Sequence, residues 1–254
     1  MAKLSDLATN DKLKVLLYGE SGAGKTTFAA SAPGPVFFFD FDGKISSAKK
    51  YLEVTNPGKI GEIDYEHLPL SRTQNPYGRF QALLKGLEDL AANGDFKFKT
   101  VVLDSLTLYS DALMADVMRT NPGTKRFNPD VPVMQDYLVN AIKFKQDIAR
   151  ILSLPCNVIC TGHITQEKDE ITGEIRVRPL LSGKLADHLP RIFFEVWRAY
   201  VDAKDGKHKA QTRSDGRFVC RTEIPRIPSS VDLEFDSIFK YLSQPVNKKE
   251  EVKA

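Results

Sequence analysis

The chain has 254 residues, of which 42% are hydrophobic and 27% charged, with a formal net charge of +3. That profile suits one large globular domain with a substantial core and excludes collagen-like, low-complexity and disulfide-stapled chains. The mild positive charge permits a nucleic-acid partner without requiring one. Three sparse cysteines and four histidines show no metal-ligand spacing, so all three thiols are expected to be reduced and structural. No apolar run reaches the length of a membrane span, and the first six residues lack the apolar core of a signal peptide. The expectation is a cytoplasmic protein without a membrane partner.

Residues 1–12 form a polar leader, a candidate oligomerisation segment. Residues 13–18 are an apolar run expected as a buried strand. It ends in Gly19-Glu20-Ser21-Gly22-Ala23-Gly24-Lys25-Thr26-Thr27, and a helix follows to about Ser31. Pro33-Gly34-Pro35 stops that helix. Val36-Phe37-Phe38-Phe39 reads as a strand buried on both faces and ends in Asp40-Phe41-Asp42-Gly43. Residues 60–70 alternate in part, as an outer strand does. Asn75-Pro76 opens a helix that runs to about Ala92, where Asn93-Gly94 closes it. Thr100-Val101-Val102-Leu103-Asp104-Ser105 is another buried strand ending in an acid, with a helix after it to about Arg119. Residues 121–132, rich in proline, are a loop. Residues 133–154 form a long amphipathic helix, and 157–161 the next buried strand.

The pattern changes after His163. Thr172-Gly173 marks the turn of a hairpin with arms 164–171 and 174–180. Residues 183–189 suit a short helix, 193–201 and 209–221 suit strands around Asp205-Gly206, and 233–242 a last helix. Residues 244–254 read as a charged, disordered tail. Strand–helix alternation in the first two thirds predicts an α/β fold: a mostly parallel central sheet with helices on both faces. The later hairpins are expected to extend that sheet with antiparallel strands. The core then spans 13–243 as one domain.

Gly19, Gly24, Lys25 and Thr26 fill the pattern G-x-x-x-x-G-K-[ST]. Glycines let backbone N–H groups converge on phosphate oxygens, and a helix N-terminus adds a favourable dipole. Lys25 is expected at the β- and γ-phosphates and the Thr26 hydroxyl on Mg²⁺, so the cofactors are ATP and magnesium. The second magnesium acid belongs at the end of another buried strand, where Asp104 stands. Ser105 is available to cap the following helix in its place. Hydrolysis further needs a group that orients or deprotonates water; Asp40 and Asp42 both qualify by position. His163, just after a strand, is a candidate γ-phosphate sensor.

Together these residues resemble the RecA-like P-loop ATPases, and more closely the core-only RecA-like single-strand annealing and recombination proteins of bacteriophages. The likeness rests on the phosphate loop, Asp40-Phe-Asp-Gly43, residues 101–109, Thr161-Gly-His-Ile-Thr-Gln-Glu-Lys-Asp169 and Leu181-Ser-Gly-Lys-Leu-Ala-Asp-His-Leu189. It implies a RecA-type ATPase that assembles on single-stranded DNA as a homo-oligomer, ring or filament, together with a single-strand binding protein. It carries over Lys25, Asp42 and His163 as the catalytic set, Thr26 and Asp104 as metal holders, and Asp42 as the water-activating acid. RecA-like enzymes usually have glutamate where Asp42 stands, and RecA itself glutamine where His163 stands; the shorter acid implies slow or DNA-dependent turnover. Two loops are implied for DNA, with Lys125, Arg126 and Phe127 in one and Lys168, Arg176 and Arg178 in the other. Adjacent basic and aromatic residues suit a groove that tracks the backbone and stacks bases. Lys184, Arg191 and Arg198 are candidates to reach a neighbour's nucleotide in trans. Two rival classes remain: a P-loop nucleotide kinase, and an ATP-switched loader or adaptor without catalysis. A strand lying between 13–18 and 101–103 favours the RecA-like reading over the kinase.

Overall fold

In a computed structural model, which describes residues 12–242 apart from 72, 122–124, 169, 171–172 and 183–184, strand β1 (Lys14–Gly19) is buried along its whole length. It runs between two parallel neighbours and is covered on both faces. Alternation explains why every position is apolar or packed. Val15 and Leu17 enter one core, and Leu16 and Tyr18 the other. The leader through residue 11 and the tail from 243 lie outside the described residues.

The strands after β1 are β2 (Val36–Asp40), β3 (Ile63–His67), β4 (Thr100–Asp104), β5 (Asn157–Gly162), β6 (Ile164–Lys168), β7 (Ile175–Pro179), β8 (Glu195–Val201), β9 (His208–Gln211) and β10 (Ser230–Asp232). With β1, seven of them make one eight-stranded sheet in the order β10-β9-β8-β1-β5-β4-β2-β3. From β8 to β3 every pairing is parallel, whereas β9 and β10 add antiparallel strands at one end. β5 therefore lies between β1 and β4.

The helices are α1 (Lys25–Ser31), α2 (Ile45–Thr55), α3 (Pro76–Ala92), α4 (Leu106–Thr120), α5 (Met134–Ser153), α6 (Leu185–Ile192) and α7 (Phe235–Leu242). Apolar residues of α3 to α6 fill one face of the sheet, and those of α1, α2 and α7 fill the other. α2 and β10 were not expected from the sequence. Yet Ile45, Ala48 and Leu52 show helical spacing and pack on the second core, two of them buried.

The first predicted hairpin is present as β6 and β7, but it forms a two-stranded sheet of its own rather than extending the central one. The reason is topological. It continues directly from β5, both of whose edges are already taken by β1 and β4. The hairpin instead meets the segment before β10, through Val177 N–H donating to Arg217 C=O at 2.8 Å. The expected strand 209–221 is short for a related reason. Asp215 accepts from the amides of Arg217 and Phe218, which turns the chain away from the ladder.

A buried carboxylate ties the first helical layer together. Asp147 accepts from Tyr77 Oη at 2.9 Å, Tyr109 Oη at 2.7 Å, Gln81 Nε2 at 2.7 Å and Arg150 at 3.2 Å. Burial first, and then the Asp147 charge, push both phenols well up, so they remain donors. Asp147→Ala is expected to cost about 3 kcal/mol, because it strands two phenol hydroxyls without their acceptor. The midpoint of urea unfolding measures this, and Asp147→Asn should cost less.

Candidate nucleotide site

The phosphate loop is shaped by close approaches that only glycine allows. A Cβ on Gly19 would lie 2.3 Å from the backbone oxygen of Ala199 in β8. Gly24 caps α1 in the left-handed conformation at φ +86°, with the His208 ring packed on it. The loop thus turns sharply from β1 into α1, whose first N–H groups have no partner within the helix. Ser21, Gly22, Gly24, Lys25, Thr26 and Thr27 line a cleft of about 410 Å³.

Lys25 is buried at the floor of this cleft. Its Nζ donates to the carbonyls of Gly19 at 2.9 Å and Glu20 at 2.8 Å, which aims the ammonium under the loop. Burial pulls its pKa down, opposed by the charges of Asp104 and Asp42. An anion in the cleft would favour the charged form.

Asp104 ends β4 beside the loop and is 2% exposed. It accepts from Thr26 Oγ1 at 2.8 Å, and from Thr161 Oγ1 of β5 in a short contact. Burial pushes its carboxyl up, with Asp42 and Asp40 adding to the effect and the two threonine hydroxyls opposing it. Among the described residues no salt bridge with a basic side chain offsets this carboxylate. A hydroxyl and a buried carboxylate 2.8 Å apart beside a phosphate loop are the donor set a magnesium ion takes, since it binds one or two protein oxygens and keeps the rest for phosphate and water. The residues present fit the ion, and Thr26 and Asp104 would hold it. A bound magnesium ion would neutralise phosphate charge there.

The two acids after β2 have separate fates. Asp40 is turned into the fold, accepting from the Lys44 amide at 3.2 Å and pairing with His67 Nδ1 at 3.3 Å. Asp42 lines the cleft. It accepts from Ser105 Oγ at 2.5 Å and from His163 Nε2 at 2.9 Å, with Lys44 Nζ at 3.3 Å. Because an ionised carboxylate only accepts, Nε2 carries the proton in this contact. Burial pushes Asp42 up, but the hydrogen bonds from His163 and Ser105, joined by the nearby positive charges, outweigh it and hold the carboxyl at about 2. Ser105 sits at the N-cap position of α4 but makes no cap bond; its hydroxyl goes to Asp42. The capping role expected for it is therefore not the one it takes.

His163 is joined to the hairpin by a short relay. Its backbone N–H donates to Thr107 Oγ1 at 3.1 Å, and Thr107 Oγ1 donates to the Leu180 carbonyl at 3.1 Å. The Leu180 N–H returns to the His163 carbonyl at 2.8 Å. Thr107 is the residue sequence reading missed. Its only signal was its place in the first turn after Asp104-Ser105.

The other candidates scatter. Arg126 is committed inward: its guanidinium and the Asp136 carboxylate are 8% and 0% exposed and paired at 2.5 Å. Lys125 and Phe127 beside it are exposed. Arg178 bridges Glu167 of β6 to Asp187 of α6, so it holds the hairpin against that helix. Lys168 and Arg176 are exposed on the hairpin. Arg191 is exposed on α6, while Arg198 lies over the Phe218 ring at 3.5 Å. Lys184 lies outside the described residues. Among the described residues, no helix is long and apolar enough to cross a membrane.

A phosphate loop after β1, an acid ending β4 and a strand inserted between them define a P-loop nucleoside triphosphatase in which a polar strand end faces the cleft. The chain belongs to the AAA-domain family of P-loop ATPases, whose family model, described as an AAA domain, matches residues 11–223. No curated protein matches the chain.

Proposed function

We propose that the chain is an ATP- and magnesium-dependent single-stranded DNA-binding protein of the RecA-like kind, acting in phage recombination or single-strand annealing. ATP binding, or slow hydrolysis, controls its assembly on DNA. The observation that supports this most is the relay from Asp42 through His163 and Thr107 to Leu180, which joins the acid at the cleft to the β6–β7 hairpin. A residue that leaves Asp42 for the γ-phosphate would alter the base of that hairpin. DNA held by the hairpin would in turn bias His163, because coupling between two sites is reciprocal. Lys168 and Arg176 are the hairpin cations exposed for a phosphate backbone, with Lys125 and Phe127 on the first loop. A homo-oligomer, ring or filament, with a single-strand binding protein as partner, completes the reading.

In this mechanism Lys25 and the loop amides bind the triphosphate. Asp42, ionised at neutral pH, orients the attacking water more than it deprotonates it, since a carboxyl held at about 2 is a weak base. Turnover is therefore slow until His163 releases it. β5 lying between β1 and β4 speaks against the nucleotide kinase. The locked Asp42 favours one second reading, an ATP-switched adaptor without catalysis.

ATP turnover measured with and without single-stranded DNA tests the proposal. The expected result is stimulation of about 10-fold or more, lost in Lys168→Ala/Arg176→Ala, with DNA affinity falling steeply as salt rises. Absence of DNA binding with ATP and magnesium would sink it. ATP binding without turnover, in the presence and absence of DNA, would favour the adaptor.

A further inference from the structure

Most described arginines are held by a carboxylate, as Arg79 is by Glu66 and Arg150 by Glu88. Arg198, Arg213 and Arg217 form no salt bridge among the described residues, and they gather at the β8–β9 end of the sheet. Residues 198–221 carry seven basic and three acidic side chains, so this short stretch holds more net positive charge than the +3 of the whole chain. Its acids are committed within the stretch. Asp202 and Asp205 accept from Lys209, and Asp215 from the amides of Arg217 and Phe218. Just beyond it, Glu223 pairs with Arg221.

A closed loop brings the three arginines together. Ser214 Oγ accepts from the Cys220 amide at 2.9 Å and donates to the Cys220 carbonyl at 2.8 Å, which ties off residues 214–220. Tyr18 Oη of β1 holds this loop on the sheet by donating to the Val219 carbonyl at 2.9 Å. Two guanidinium groups lie over the Phe218 ring, Arg198 at 3.5 Å and Arg217 at 5.3 Å from its centroid. Arg198 also donates to Gln211 Oε1 at 3.3 Å, and Gln211 Nε2 donates to the Arg213 carbonyl at 2.9 Å. Stacking a guanidinium on a ring fixes its plane and leaves its N–H edge for an anion. Arg213 and Arg217 are exposed.

We infer that β8 and this loop form a track for the phosphate backbone of a single-stranded nucleic acid, continuing the path that begins on the β6–β7 hairpin. A guanidinium fork matches phosphate oxygens in pairs, and an arginine without a carboxylate partner breaks no ion pair when it takes one. The loop is closed before any ligand arrives, so little ordering is lost on binding. It also abuts the hairpin. The Val177 amide donates to the Arg217 carbonyl at 2.8 Å, so a strand leaving Arg176 meets Arg217 next. The inference rests on the single-stranded DNA reading and adds a surface to it that neither of the two sequence-predicted loops contains.

Fluorescence anisotropy of a labelled oligothymidylate, titrated with the full chain in ATP and magnesium at several salt concentrations, tests it. Arg213→Gln/Arg217→Gln should bind about 10-fold more weakly at low salt. The slope of log affinity against log salt should shrink by about 1.4, as the loss of two phosphate contacts on a single strand requires. Each single variant should lose about half of that slope. Lys49→Gln/Lys50→Gln removes the same charge from the exposed side of α2 and should keep the native affinity and slope. A native slope retained in the arginine double variant, or an equal loss in the lysine control, overturns the track and leaves the hairpin reading standing. A labelled duplex bound as tightly as the single strand, with the same drop in the variant, overturns the single-strand assignment. Native protein that does not bind the oligonucleotide overturns the DNA reading and the track with it.

Discussion

Asp104→Asn is expected to abolish ATP turnover and to make the ligand-free protein more stable. The two effects share one cause. Asp104 is a buried carboxylate that no basic side chain pairs with among the described residues, and burial holds its pKa above 3.8. The folded state therefore binds this proton more tightly than the unfolded chain does. Stability linked to Asp104 is present below about 3.8 and is lost as pH rises through the folded pKa, so at neutral pH the charge works against the fold. An amide removes that penalty and keeps one oxygen to accept from a threonine hydroxyl. The melting temperature should rise by about 2–4 °C for each kcal/mol relieved. The same amide is a poor magnesium ligand, and turnover should fall by about 10²–10³-fold or more. Thermal melts with and without ATP and magnesium check both halves. Native protein should gain stability from the ligand pair and Asp104→Asn should not. A variant that melts lower and keeps its turnover would refute the assignment.

Asp42→Asn should change stability in the opposite direction. Its carboxyl is held at about 2, against 3.8 for the free group, so the folded state favours the ionised form. This contributes about 2 kcal/mol above the unfolded pKa and is lost as pH falls from about 4 to 2. Asp42→Asn should therefore melt lower at neutral pH and lose the acid-dependent part of the native curve. ATP affinity should change little, because Lys25, Thr26 and the loop amides stay in place. Turnover should fall about 10²-fold if Asp42 orients the water. Unchanged turnover beside the lower melting temperature would reduce Asp42 to a structural anchor for His163 and Ser105.

Much of the fold was readable because buried parallel strands leave a dense apolar signature. The runs at β1, β2, β4 and β5 could be placed within a residue or so, and so could the acid that ends β4. α2 was overlooked because Tyr51 and Val54 lie exposed among its polar residues and blur the period of its buried face. The hairpin after β5 was visible as a hairpin, but its exclusion from the sheet was not. That exclusion depends on β1 and β4 both claiming β5, a fact of strand order that no local pattern carries. For the same reason Arg126 and Arg178 looked available for DNA. A basic residue in a polar loop reads the same whether it faces solvent or, like Arg126, closes on Asp136 ten residues later.

The sequence by itself determined that a triphosphate loop joins a buried strand to a helix, because that turn demands glycines, a lysine and a hydroxyl at fixed spacing. It also determined which strand ends carry acids. Position alone left both acids after β2 open, and the tertiary structure sets them apart. Asp40 is drawn into the fold by His67 and the Lys44 amide, while Asp42 is held at the cleft by Ser105 and His163, residues 63 and 121 positions away along the chain. Long-range pairing of this kind has no period and no composition, so it becomes legible only when β4 and β5 are set side by side.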